Sequence, residues 1–175
     1  AGEHITFPEA IADRYPYTDN SESPFQMPDP AYDGFQILAQ MAGVTNSIRL
    51  ATNICVAPIR HPVTLAKHGL TLHSISGGRF DFGVGVGWLE EEFDVLDIPF
   101  DERGSRTDEF LEIFNRACSE EEFAHEGRHY EFQRTGFHPV SGDLGPSIYI
   151  GGESGAALRR TAEYGDGWSQ YWTRD

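Results

Sequence analysis

Along most of this 175-residue chain, apolar runs of strand length alternate with stretches of helical spacing, and that alternation constrains the fold more than any other feature. GFQILAQMAGVT sets Ile37, Leu38, Met41 and Ala42 at helical spacing, and SIRLATNICVAP follows as a mostly apolar strand. Pro62 opens a second helix with Val63, Leu65, Ala66 and Leu70; SGG stops it, and RFDFGVG resumes as a strand. In that strand Phe80, Phe82 and Val84 point one way while Asp81, Gly83 and Gly85 point the other. A helix from about Ser105 to Ala117 buries Phe110, Ile113, Phe114 and Ala117 on one stripe. EFAH and RHYEF, on either side of Gly127, predict a hairpin inserted between units. SIYIGG, SGAALRRTAEY and GDGWSQYW then restore strand, helix and strand, with Gly165 stopping the helix. Such an order requires right-handed crossovers and a parallel sheet, an α/β fold. Doubly wound sheets and closed barrels both bury their strands on two faces, so periodicity leaves the choice between them open.

The length and the 39% apolar content suit one domain with one core. With 28 acidic residues against 13 basic ones, the net charge of -15 repels a phosphate backbone and an anionic bilayer alike. The expected partner is a small-molecule substrate, with no nucleic acid and no membrane. The opening AGEHITFPE lacks a basic patch followed by an apolar signal core, and the chain reads as soluble and cytoplasmic. Cys55 and Cys118 belong to no C-x-x-C pair, which predicts reduced, buried thiols and no metal site.

Within SGGRFDFGVGVGWLEEEF, residues 76–93, Gly83, Gly85 and Gly87 are spaced G-x-G-x-G, which is not the G-x-G-x-x-G of a dinucleotide fingerprint. Two readings stay open. Bare backbone at the end of a parallel strand lets a flat ligand lie against it, with turn amides holding its anionic parts; alternatively, small residues fit a crowded interior or a bulge. GGESGAAL ends a strand and opens a helix, so the amides after Gly151 and Gly152 and the Ser154 hydroxyl suit a phosphate at the positive end of the helix dipole, or serve as an ordinary capped turn. Glu90, Glu91 and Glu92 read as a solvated first helical turn. Trp88 either walls the site or packs under the next helix. His61 follows a strand and either approaches the pocket or sits in a loop, whereas His68, His73, His125, His129 and His138 read as structural or exposed.

The run from LATNICVAPIRHP through SGGRFDFGVGVGWLEEEFDVLDIPFDERGSRTDEFLEI resembles the bacterial luciferase-like family of flavin and deazaflavin oxidoreductases, particularly its deazaflavin-dependent branch. GEHITFPE, GRHYEF and IGGESGAALRRTAEYGDGW extend the similarity over essentially the whole chain. The resemblance implies a (β/α)8 TIM barrel with chemistry at the carboxyl ends of its strands. Residues 1–175 would then form a single barrel domain, incomplete: about strands 3 to 6, the end of strand 2 and an inserted hairpin, without the first and last β/α units.

What the family implies for residues follows its motifs. His4 would sit over the cofactor ring as acid, base or hydrogen-bond donor; Glu3 beside it is either its orienting neighbour or an ordinary exposed acid. The Asn53–Ile54 bond would be a non-proline cis peptide, forming a bulge against the back face of the ring; read without the family, it is equally an ordinary trans strand with the Asn53 side chain satisfied locally. Gly85, Val86, Gly87 and Gly151 would line the cofactor site, and Gly152, Glu153 and Ser154 would take its phosphate, Glu153 mainly through its backbone. Val86 stands where flavin-using luciferases carry a phosphate-binding arginine; this favours a deazaflavin of the coenzyme F420 type, with FMN the alternative and Arg159 a possible source of charge. The expected activity is hydride transfer between that cofactor and an organic substrate, or monooxygenation with FMN, in a homodimer. The loop from Arg14 to Pro30 would cover the substrate. A non-catalytic flavin-binding or scaffold protein derived from a truncated barrel is the alternative.

Overall fold

The computed structural model describes residues 4–9, 11, 15, 32–139 and 145–170. Glu3 and, apart from Tyr15, the stretch from Arg14 to Pro30 lie outside the described residues. Helix α1 (Gly34–Val44) leads into β1 (Leu50–Val56), and α2 (Pro62–Ile75) into β2 (Phe80–Gly85). A short α3 (Glu90–Val95) and the long α4 (Arg103–Ser119) precede a hairpin of β3 (Glu122–Glu126) and β4 (Glu131–Gly136). Strand β5 (Ser147–Gly151), helix α5 (Gly155–Tyr164) and strand β6 (Gly167–Ser169) complete the order. β1, β2, β5 and β6 form one sheet in that order, all pairs parallel, and the hairpin is a separate antiparallel sheet.

The alternation along β2 sorts its side chains as the sequence requires. Phe80, Phe82 and Val84 are fully buried among α1, α2 and α4, where they meet Leu38, Leu65, Leu70, Phe110 and Phe114. Phe82 stands edge-on to Phe114 with ring centroids 5.0 Å apart, an arrangement worth about 1 kcal/mol beyond the area it buries. Arg79, just before β2, donates to the carbonyls of Ala42, Thr45, Ile48 and Ser76 at 2.6–3.1 Å and so joins the ends of α1 and α2 to the sheet. Those of Ala42, Thr45 and Ser76 are orphan carbonyls of helix ends, and a guanidinium satisfies several at once. Between α4 and α5, buried Arg160 pairs with Asp108 and donates to the Gly104 carbonyl. Cys55 is buried, and burial pushes the pKa of the Cys118 thiol up to about 12.

The hairpin departs from the sequence reading. Its second strand begins at Glu131 instead of Arg128, so RHYEF is mostly turn. The cause is Glu109 on α4, which accepts hydrogen bonds from the amides of His129 and Tyr130 at 2.9 and 2.8 Å and pairs with His125 Nε2 at 3.0 Å. Amides committed to a carboxylate cannot join a ladder. A Cβ at Gly127 would collide with the Glu109 carboxylate, so the turn also requires a residue without a side chain there. Burial is the largest influence on the Glu109 carboxyl and pushes its pKa up, yet the hydrogen bonds from His125, His129 and Tyr130 together hold it below the ordinary value.

A depressed folded pKa makes the stability from Glu109 complete above the unfolded carboxyl pKa, about 4.3, and lost as pH falls through the lower folded value. Glu109→Gln is expected to cost roughly 2 kcal/mol at neutral pH. The gap to wild type should narrow in acid, read as urea midpoints from neutrality down to about pH 3; a gap independent of pH would contradict this account of the hairpin.

Candidate active site

The carboxyl ends of β1, β2 and β5 lie side by side, and the site is built where they meet. β1 pairs with β2 as Thr52 with Phe82 and then as Cys55 with Val84, so Asn53 and Ile54 together oppose the single residue Gly83. This is a bulge. The Asn53–Ile54 peptide within it is cis, as the family resemblance implies. The bulge turns the Ile54 side chain across β2 and on to β5, the next strand. A Cβ at Gly85 would overlap Ile54 Cδ1, and one at Gly151 would lie 2.8 Å from Ile54 Cγ2. A Cβ at Gly83 would instead overlap the Thr52 carbonyl oxygen, while the Thr52 hydroxyl donates to the Gly83 carbonyl at 2.8 Å.

Of the two readings of these glycines, the structure therefore bears out the bulge. The volume their missing side chains vacate is taken by the chain's own Ile54 and Thr52. A flat ligand lying directly on bare backbone at Gly83 and Gly85 is thus corrected: the surface presented there is half-buried, apolar Ile54. Gly87 differs again. Its φ of +82° is one that glycine adopts freely, and a Cβ would press on Val56 and Phe93. Val86, between these glycines, is half-buried.

Asn53 is exposed beside the bulge, and its Oδ1 accepts from Ser169 Oγ at 2.8 Å. β1 and β6 are opposite edges of the sheet, so this bond spans its concave side. At the end of β5, Gly152 has φ +110°, and its carbonyl accepts from Trp168 Nε1 at 2.7 Å. Glu153 and Ser154 are exposed at the start of α5, where Ser154 caps the helix by accepting from the Ala157 amide at 3.2 Å. Arg159 is exposed on the same helix.

His4 is held to the loop and helix that follow β2. Its Nδ1 lies 2.8 Å from Glu92 Oε2, while Glu92 Oε1 accepts from the amides of Ile5 at 2.6 Å and Thr6 at 3.2 Å. The ring stands edge-on to Trp88 at 5.8 Å, and Trp88 in turn meets Tyr15 at 4.9 Å. The run of three acids is thereby divided. Glu90 and Glu91 are half-buried, but Glu92 is fully buried, which corrects the reading of all three as a solvated turn. Among the other histidines, His61 is exposed ahead of α2 with its ring against Tyr130, and His125 and His129 belong to the hairpin.

An apolar ledge, a carboxylate-held imidazole and a capped helix start thus lie at adjacent strand ends. The residues present fit a planar ring carrying a phosphate: Ile54 offers a face for the ring, and α5 offers an N-terminus to an anion. Barrel enzymes place their chemistry at this same end of their strands.

The chain belongs to the luciferase-like monooxygenase family, whose sequence model matches residues 11–172. It is 32% identical over 170 residues to an uncharacterized protein of Mycobacterium tuberculosis, covering 94% of this chain and 58% of that one. The crystal structure of monooxygenase RslO1 from Streptomyces bottropensis superposes with a TM-score of 0.72 at 31% identity, over 78% of this chain and 42% of that chain. The coenzyme F420-dependent tetrahydromethanopterin reductase from Methanopyrus kandleri gives 0.65 at 25%, over 80% and 44%. The chain thus spans little more than half the length of the relative and under half of each solved neighbour. The sheet described above is consistent with an incomplete TIM barrel.

Two measurements check this geometry. Gly85→Ala and Gly83→Ala are each expected to destabilise by about 1–3 kcal/mol in thermal or urea unfolding. Adding Ile54→Ala should relieve only Gly85→Ala, by about 1 kcal/mol, because Gly83 is obstructed by backbone; equal relief of both would refute the assignment. Separately, Glu92→Ala should speed hydrogen exchange at Ile5 and Thr6 by roughly tenfold or more, and unchanged protection would show that the carboxylate does not hold this segment.

Proposed function

We propose that this chain carries the catalytic end of an oxidoreductase that exchanges a hydride between a deazaflavin of the coenzyme F420 type and an organic small molecule. The observation that carries the reading is the apolar Ile54 lying across β2 and β5, together with an imidazole that a buried carboxylate holds on α3, the helix that follows β2. When bound, the cofactor supplies the hydride acceptor or donor. Ile54 supports one face of the ring, and the amides from Gly152 to Ser154 bind the phosphate, helped by the α5 dipole. His4 accepts or returns the proton that accompanies hydride movement. Trp88 shields that imidazole on one side. The uncharged Val86 and the likeness to a coenzyme F420-dependent reductase favour the deazaflavin. The likeness to RslO1 favours a second reading, monooxygenation with FMN.

Fluorescence titration of the chain with coenzyme F420 and with FMN separates the two, with F420 expected to bind about tenfold tighter or better, 1.4 kcal/mol or more. A preference for FMN would overturn the cofactor assignment. With a substrate in hand, His4→Ala is expected to lower kcat by on the order of 10²–10⁴-fold while cofactor affinity holds. Equal losses of binding and turnover would show that His4 serves binding alone.

A further inference from the structure

We infer that Glu92 is the positioning residue for His4: it fixes the imidazole with hydrogen on Nδ1 and thereby makes Nε2 the nitrogen that moves the proton. The inference rests on the reading of His4 as the proton carrier and adds the group through which it is set.

Glu92 lies on the buried side of α3, and its side chain is 1% exposed against 12% for His4. Both carboxylate oxygens are engaged. Oε1 takes two consecutive amides, those of Ile5 and Thr6, and Oε2 faces His4 Nδ1 at 2.8 Å. A carboxylate accepts and has no hydrogen to give, so the short contact to Oε2 requires the hydrogen to be on Nδ1. With Nδ1 donating, a neutral imidazole carries its basic lone pair on Nε2.

The arrangement also fixes where the ring stands. The two amides pin the backbone immediately after His4, and Phe7 and Trp88 flank the ring at centroid distances of 4.8 and 5.8 Å. Oε1 alone would suffice to anchor the segment, since it takes both amides. The contact from Oε2 to the imidazole does something further, because it selects between two tautomers of otherwise similar energy. A proton-transfer group whose tautomer is set before substrate arrives needs no rearrangement in the transition state.

The test begins with the unaltered chain, its histidines labelled with ¹⁵N and observed by long-range ¹H–¹⁵N correlation in mildly alkaline buffer. His4 is expected with hydrogen on Nδ1 and an unprotonated Nε2. The opposite tautomer overturns the inference, whatever any variant does. In Glu92→Gln the amide oxygen can keep the Ile5 and Thr6 hydrogen bonds while its NH2 faces Nδ1, which drives the hydrogen to Nε2. That variant should show the switched tautomer, with kcat reduced on the order of 10²-fold or more and with KM and cofactor affinity within about threefold of wild type. Glu92→Gln with the original tautomer and full kcat, beside an inactive His4→Ala, would overturn the role of Glu92 and leave the reading of His4 standing. A switched tautomer with turnover intact in both variants would uphold the tautomer assignment and remove His4 from the chemistry.

Discussion

The site depends first on a steric constraint: one isoleucine lies across two neighbouring strands, and those strands carry glycine where it does so. Ile54 can reach Gly85 and Gly151 only because β1 holds one residue more than β2 between Thr52 and Cys55. Interiors packed at crystal density leave no slack for such a crossing. The bulge, the two glycines under it and the Thr52 carbonyl above Gly83 are therefore one unit. It covers the backbone of Gly85 and Gly151 with the apolar Ile54 side chain.

Two buried carboxylates of this chain use the same chemistry for different ends. Glu92 gathers the amides of Ile5 and Thr6 and the His4 imidazole; Glu109 gathers the amides of His129 and Tyr130 and the His125 imidazole. In each case consecutive N–H groups and one ring nitrogen satisfy an acid that would be costly to bury alone. Glu109 sits between α4 and the hairpin, where fixing a turn is a sufficient role. Glu92 sits on α3, which follows the carboxyl end of β2, the end of its strands at which a barrel carries its chemistry. Location, and not the pairing as such, separates the two.

Much of the fold was legible because burial imposes a period. The alternation in RFDFGVG and the helical stripe of Phe110, Ile113, Phe114 and Ala117 both return in the structure, as do the helices opened by Pro62 and capped by Ser154. What escaped depends on partners distant in the chain. RHYEF has strand composition, but a carboxylate about 20 residues earlier takes its amides and bends it into a turn. Glu92 was hidden among three acids, although a signal was present: Leu89, Glu92 and Phe93 stand three and four residues apart, on one helical stripe, and all three are buried. The bond from Ser169 to Asn53 had no signal at all, since it joins opposite edges of a sheet whose curvature is a tertiary property.

The central claim is that the Ile54 ledge is the floor of a cofactor site. Selective ¹³C labelling of isoleucine δ1 methyls, followed by addition of coenzyme F420, reads that contact directly, because a ring current acts only on methyls next to the ring. The account predicts a large shift of the Ile54 resonance, with Ile113 and Ile148, buried in the core packed against the helices, left in place. Saturable binding that moves other methyls and leaves Ile54 unshifted would contradict it.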